Sequence, residues 1–327
     1  MAQDLHHRGA LSATAIDELL HAAAAAPSSF NSQPWRLTWT GDAVEVRGDP
    51  ARQLLGSDPD GRAVRLACGA ALANIRLTVR NQGRRAHCRL LPTRDDPWVM
   101  GRVRPGAAAP PLPWEQDLAG VISRRRTDRG PFAPRPLSSR HRDELTRAAE
   151  REACWLVFLD DSSERARLRE IAADAHHTQR SDPAFRAEWA AWVGDAERSD
   201  DGIPAALARQ APRPDGLWRW RDFAGSADLD DERPAAHRDD QPAIAVVATF
   251  RDSPLTHLQA GQAMQQVLLT GTSRGLGASF VAPPLELREH RDAVRDLLGG
   301  GLWPQVILRL GFGGLPPATP RRSPGAE

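Results

Sequence analysis

Ala67-Cys68-Gly69-Ala70-Ala71-Leu72-Ala73-Asn74-Ile75-Arg76-Leu77-Thr78 lies on Gln259-Ala260-Gly261-Gln262-Ala263-Met264-Gln265-Gln266-Val267-Leu268-Leu269-Thr270 without a gap, at a constant offset of 192 residues. Gly69 meets Gly261, Ala71 meets Ala263 and Thr78 meets Thr270; further on, Gly83 meets Gly275 and Ala86 meets Ala278. Leu72/Met264, Ile75/Val267 and Leu77/Leu269 agree in character at helical spacing. Each copy reads as an apolar helix with small residues near its start and a glycine at its stop. A short strand follows, His87 to Leu91 or Ala278 to Val281. The shared stop and shared strand argue against two amphipathic helices alike by chance. The spacing predicts two related α/β units fused head to tail about an internal pseudo-twofold axis, whose small residues let the paired helices approach closely.

Working outward, strands are predicted at Trp35 to Thr40, Val44 to Gly48, Trp98 to Arg104, Cys154 to Leu159, Ala243 to Phe250 and Gln305 to Gly311. Helices are predicted at Asp17 to Ala25, Gly61 to Asn81, Trp114 to Ser123, Ser139 to Glu150, Ser163 to His177, Leu255 to Arg274 and Glu286 to Leu298. Pro105 to Pro113 reads as the linker, which sets the halves at 1–110 and 111–327. Asp195 to Asp240 is polar, proline-rich and too long for an ordinary connection. An insertion at about 180–240 of the second half is therefore either disordered or a functional cover.

A chain of 327 residues with 41% hydrophobic and 26% charged residues is that of a soluble globular protein. Its net charge of +1 gives no bulk reason to expect nucleic acid or a membrane as partner, so any basic site must be local. The sequence lacks lysine, so Schiff-base catalysis and a Walker A lysine are excluded, and a phosphate held by a side-chain cation is held by arginine. High genomic GC content accounts for most of that arginine. Cys68, Cys88 and Cys154 show no CxxC spacing and read as small buried hydrophobes in a reducing cytoplasm. No secretory signal and no segment long enough to cross a membrane are expected, and a cytoplasmic location is expected.

Two stretches carry chemistry. In Ala26-Pro27-Ser28-Ser29-Phe30-Asn31-Ser32-Gln33-Pro34-Trp35, Pro27 stops the preceding helix and leaves hydroxyls, an amide and backbone N–H groups in one turn, as a polar cofactor needs. A plain helix-to-strand turn would use the same residues. In Ser123-Arg124-Arg125-Arg126-Thr127-Asp128-Arg129-Gly130-Pro131-Phe132, arginine forks and a hydroxyl suit a phosphate monoester, and a solvated arginine face is the alternative. Phe185, Trp189 and Trp192 share a helical face that suits core packing, while Trp218 and Trp220 stand in an irregular stretch that could form a lid. His176 and His177 point about 100° apart on a helix and do not read as metal ligands.

Ala-Pro-Ser-Ser-x-Asn-x-Gln-Pro-Trp at 26–35, Arg-Arg-Thr-x-Arg-x-x-Phe at 125–132, Gly-Leu-Gly-Ala-Ser-Phe at 275–280 and Gly-Phe-Gly at 311–313 before Pro320-Arg321-Arg322 resemble the FMN-dependent nitroreductase family. More narrowly, the chain is similar to the fused, single-chain Acg-like branch, over most of its length except roughly 180–240. The resemblance implies an α+β nitroreductase-like fold in which two tandem halves form an intramolecular pseudo-dimer. It implies that Pro27, Ser28, Ser29 and Asn31 reach the flavin from the first half. Arg125, Thr127 and Arg129, with Arg321 or Arg322, would hold the phosphate, and the backbone at Val281, Ala282 and Pro283 would face the reactive ring edge. Arg129 stands where the family carries lysine. No Arg-Arg-Thr-x-Arg element precedes Ala26, where Arg8 stands alone, so one composite flavin site per chain is expected.

With FMN as cofactor and NAD(P)H as possible reductant, the implied function is hydride transfer to a small organic acceptor of nitro, quinone or heterocyclic type. No catalytic side chain is then required. The alternative implied by the Acg-like branch is a non-catalytic, FMN-sequestering, stress-related protein whose lid closes the site. The expected partner is a small-molecule substrate, with neither nucleic acid nor membrane, and the chain is expected to be a monomeric pseudo-dimer open to further self-association.

Overall fold

The computed structural model describes residues 11–194, 200–204, 242–314 and 316–324. Ser12 opens α1 (Ala13–Ala24) by accepting from the Ala15 N–H at 3.1 Å, and Pro27 lies just past its end. Then come β1 (Trp35–Trp39), β2 (Val44–Gly48), α2 (Arg62–Asn81), β3 (Arg84–Leu90), β4 (Val99–Ala108) and α3 (Pro113–Ala119). The second run is α4 (Ser139–Glu150), β5 (Trp155–Phe158), α5 (Ser162–Ser181), α6 (Pro183–Trp192), β6 (Ala243–Thr249), α7 (Pro254–Ser273), β7 (Gly277–Phe280), α8 (Pro283–Glu286), α9 (Arg288–Leu297) and β8 (Trp303–Gly311).

Two antiparallel four-stranded sheets result, ordered β1-β2-β4-β3 and β5-β6-β8-β7. The second order is the first carried four strands along the chain. In each, a helix precedes the first strand and a long apolar helix joins the second strand to the third. Between β5 and β6, where the first half has a short hairpin, the second carries α5, α6 and the stretch that follows them.

α2 and α7 cross at Gly69 and Gly261. A Cβ built on Gly69 would fall well inside 3.0 Å of the Leu258 carbonyl, and one on Gly261 well inside 3.0 Å of the Leu66 carbonyl. Leu258 and Gly261 stand 192 residues beyond Leu66 and Gly69, so each half makes to the other the contact it receives. Around this crossing one apolar core draws Leu72 and Ile75 from α2, Leu258 and Val267 from α7, and Val46, Val103, Val247 and Leu308 from the two sheets.

The sheets differ in cover. β6 is buried along its length and β8 nearly so, because α7 lies on one face while α8 and α9 lie against the other. β2 and β3 alternate buried or half-buried residues with more exposed ones, since α2 covers a single face.

Two sequence expectations need correction. Pro105 to Pro113 is not all linker: β4 runs to Ala108, pairing Ala86 with Pro105 and Arg84 with Ala108. Proline is tolerated there because β2 has already ended its pairing, at Val103, so the missing N–H opens no ladder. The helix expected over Glu286 to Leu298 begins earlier and breaks at Leu287, whose φ −111° and ψ 128° are extended, so that α8 and α9 are separate. Cys68 and Cys154 are buried and free as expected, and Cys88 is half-buried and free.

At the N-terminal ends of α2 and α7 the halves meet through polar groups. Arg65 Nε donates to His257 Nδ1 at 3.1 Å, so the imidazole proton sits on Nε2 and is donated to Asp252 Oδ1 at 2.7 Å. Arg291 binds the same carboxylate through two bonds of 2.9 and 2.6 Å. Burial opposes ionisation of Asp252, but the donors His257, Arg291 and Gln305 outweigh it and hold the carboxyl well below its usual range. Burial pushes the His257 imidazole below its ordinary value despite the pull of Asp252. The folded chain then takes up this proton at lower pH than the unfolded chain. Stability from this group is complete above about pH 6.5 and declines as pH falls below it. His257→Gln is expected to flatten the pH dependence of the urea midpoint below pH 6.5; an unchanged slope would assign the acid sensitivity elsewhere.

Candidate functional site

After α1 the chain passes through a short 3-10 turn at Ser29–Asn31; Phe30 and Asn31 within it and Gln33 just beyond take φ of 50°, 55° and 48°. Left-handed backbone is rare for a residue as bulky as phenylalanine; it costs about 1–3 kcal/mol and persists only where the surroundings enforce it. Here they do. Phe30 is packed with Leu54, Phe185, Trp189 and Ile203. Asn31 Nδ2 donates to the carbonyls of Gly202 (3.1 Å) and Pro320 (3.0 Å), while its Oδ1 accepts from Arg321 Nη1 (2.7 Å). The Gln33 backbone N–H donates to Ser28 Oγ at 2.9 Å, its Nε2 to the Asp200 carbonyl at 2.8 Å, and its Oε1 accepts the Arg322 N–H at 2.9 Å. A turn from the first half is thus tied to the C-terminal tail and to residues 200–203 of the insertion.

Facing this turn is the arginine element. Thr127 forms a parallel bridge with Ala278, and the Asp128 N–H donates to the Ala278 carbonyl at 2.8 Å, which lays 127–128 along the free edge of β7. A floor of glycines fixes it there: a Cβ at Gly277, Gly311 or Gly313 would overlap Phe132 or Asp128. Arg309, fully buried, lies 4.1 Å from the Phe132 ring and donates to the Gly130 carbonyl at 3.1 Å. Thr127, Arg129, Arg126 and Thr319 line a cavity of about 230 Å³.

Two cations stand out. Arg125 is 4% exposed; its Nη2 donates to the Ala25 carbonyl at 3.4 Å, and its Nε and Nη1 have no hydrogen-bond partner. Arg321 donates to Thr319 Oγ1 (2.7 Å) and the Ala26 carbonyl (3.4 Å), and its Nε is likewise unpartnered. Among the described residues neither guanidinium meets a carboxylate. Burial, then the neighbouring arginines, push Arg125 down to about 9 and Arg321 to about 10. Buried donors of one sign at the end of α1 fit an anion, and the set of arginine forks and hydroxyls fits a phosphate monoester.

The structure therefore brings together Pro27, Ser28, Ser29, Asn31, Arg125, Arg321 and Arg322, with Thr127 and Arg129 on the adjoining cavity. Asn31 has its amide engaged with protein groups and acts here as the brace of the turn. Val281, Ala282 and Pro283 lie at the end of β7, where the Val281 N–H donates to the Ile307 carbonyl at 3.0 Å and proline has none, so a backbone donor from this trio could come only from Ala282. Sequence reasoning gave no part to Gln33, although the residue stood in the quoted motif, nor to Thr319. Residues 200–203 carry no periodicity that would have marked them. Phe185 and Trp189 are buried, in line with core packing. Trp218, Trp220 and Arg8 lie outside the described residues. Among the described residues no group of side chains could hold a metal ion, and no helix is long and apolar enough to cross a membrane.

The sequence profile of the nitroreductase family matches residues 7–67. The chain is 33% identical over 321 residues to the Mycobacterium tuberculosis protein named "Putative NAD(P)H nitroreductase Rv3131", covering 95% of this chain and 90% of that relative. It is 30% identical over 311 residues to "Putative NAD(P)H nitroreductase acg" of the same organism, covering 94% and 93%. Among solved structures, the Vibrio harveyi NADPH:FMN oxidoreductase complexed with NAD+ aligns at a TM-score of 0.37 and 16% identity, over 63% of this chain and 73% of that one.

Proposed function

We propose that this chain, which belongs to the nitroreductase family and has its α+β fold, holds one FMN between its two halves and passes hydride from NAD(P)H to a small organic acceptor. The observation that carries the reading is the pair of guanidinia of buried Arg125 and half-buried Arg321, with donors unmatched by any described carboxylate. Arg125, Thr127, Arg129 and Arg321 would bind the phosphate, with Arg322 beside them. Ser28 and Ser29 offer hydroxyls, and Asn31 holds Arg321 in place. FMN, when bound, supplies the hydride chemistry; the chain supplies position, charge and exclusion of water.

The reciprocal helix crossing and the repeated strand order support an intramolecular pseudo-dimer of halves 1–110 and 111–327. Only residues 151–154 separate α4 from β5, where the first half has 25–34. The second half thus lacks the loop a second flavin would need, which supports a single composite site.

One observation favours the sequestering alternative. Residues 200–203 bind the Asn31 and Gln33 turn directly, Asp201 pairs with Arg52, and Glu188 of α6 accepts from the Gly56 and Ser57 N–H groups at 2.8 and 3.0 Å. A cover so fastened would restrict access to a flavin below it. Anaerobic titration of the purified protein with NADPH and then NADH, followed in the visible spectrum, separates the readings. Bleaching of a yellow protein is the expected result for an oxidoreductase. A protein that stays yellow favours sequestration, and a colourless one that takes up no FMN overturns the cofactor assignment.

A further inference from the structure

The solvent side of the first sheet carries a row of basic residues. On β3 the outward residues are Arg85, His87 and Arg89, all exposed, and on β4 they are Arg102 and Arg104. Register sets Arg89 directly opposite Arg102 and His87 opposite Arg104. Like charges on facing positions of a ladder destabilise it. Glu45 offsets one of them, accepting from Arg102 Nε at 2.6 Å; Arg47 and Arg36, further across the sheet, pair with Asp96 and Asp49. Among the described residues Arg85, Arg89 and Arg104 meet no carboxylate.

Shape adds a second observation. β2 pairs with β4 only as far as Val103, whereas β3 and β4 stay paired to Arg84 and Ala108. The outer part of β3 and β4 therefore extends past β2 as a two-stranded antiparallel ribbon that carries Arg85, His87 and Arg104, with Arg89 and Arg102 at its base beside β2. Gly106 leaves room for the His87 ring, since a Cβ there would sit 2.5 Å from Nε2. The matching face of the second sheet is packed by helices and carries no such array.

We propose that this arginine-studded β-ribbon is a docking surface for duplex nucleic acid, bound through its phosphates without sequence preference. α2 backs one face of the ribbon, with Arg80 donating to the carbonyls of Arg84, Ala109 and Pro110, so the arginine face is the one presented to the phosphates along a duplex. On β3 the guanidinia of Arg85 and Arg89 stand four residues, about 13 Å, apart along the strand with His87 between them, and each fork matches a phosphate. An anionic bilayer offers the same phosphates, but no large apolar side chain stands among these outward residues to anchor it there. The overall charge of +1 remains a reason against bulk attraction; the ribbon concentrates cations that the rest of the surface balances.

The test is fluorescence anisotropy of a fluorescein-labelled 20-base-pair DNA duplex titrated with the full-length protein from about 20 to 200 mM salt, beside the triple variant Arg85→Gln, Arg89→Gln, Arg104→Gln. Binding should weaken as salt rises. The variant should lose at least about tenfold in affinity at the lowest salt, and its log–log salt slope should shrink by about 2.7, near 0.9 for each phosphate contact removed. The circular dichroism of the variant should match the parent, and its melting temperature should be no lower, since Arg89→Gln relieves the repulsion with Arg102. Equal binding by parent and variant would assign the duplex to another surface, and absence of binding at 20 mM salt would overturn the proposal. So would co-sedimentation with phosphatidylglycerol vesicles in place of duplex binding.

Discussion

Arg125→Met is expected to cut FMN affinity by at least about 100-fold while raising the melting temperature of the flavin-free protein. Both effects come from one feature. A guanidinium that is 4% exposed, with two unpartnered nitrogens, is a cost to the folded chain until an anion arrives. Two charge-assisted hydrogen bonds to phosphate contribute about 3–6 kcal/mol together, which is the basis of the affinity loss. Methionine keeps the apolar stem and removes the buried charge, hence the gain without ligand. Quenching of flavin fluorescence gives the affinity and thermal melts with and without FMN give the stability. A variant that binds FMN as tightly as the parent would place the phosphate elsewhere; a parent that binds none would refute the cofactor instead.

Gly261→Val is expected to lower stability by about 3 kcal/mol or more, roughly 4 °C or more in melting temperature for a chain of this size. The atom in the way is the Leu66 carbonyl, part of the backbone of α2, so no rotamer change relieves the overlap. The helices must move apart, and with them the core between the halves. Gly69→Val should behave alike, because the Leu258 carbonyl stands in the equivalent place. Gly301→Ala is the control: nothing lies within 4 Å of its Cβ position, and its stability should stay within about 0.5 kcal/mol of the parent. If all three variants melt together, the crossing is not the tight contact described.

Much of this was legible in the sequence, and for identifiable reasons. Helices and strands with strong apolar periodicity came through almost residue for residue: α4 at Ser139–Glu150 and β2 at Val44–Gly48 lie where their patterns put them. The offset that aligned Gly69 with Gly261 also named the two residues at the crossing, because only a small residue survives backbone contact. Pro105 misled, since proline and glycine together read as a loop until the partner strands are known. The brace between Asn31 and Gly202 was beyond reach, joining positions 171 residues apart in a stretch without periodicity. The left-handed turn at Phe30 was equally hidden, for no residue type announces it. The composite phosphate site lay between: its arginines were visible in the motif, but their burial and lack of acidic partners were not.

The glycine crossing also sets the order of events on the ribosome. α2 is made long before α7, and equivalent positions of the two helices are 192 residues apart. At about 5–20 residues per second that is a wait of roughly 10–40 s, during which the face of α2 around Gly69 has no helix to lie against. A contact so distant in sequence also slows folding once synthesis is complete. The nascent first half is therefore exposed on the face that α7 later covers.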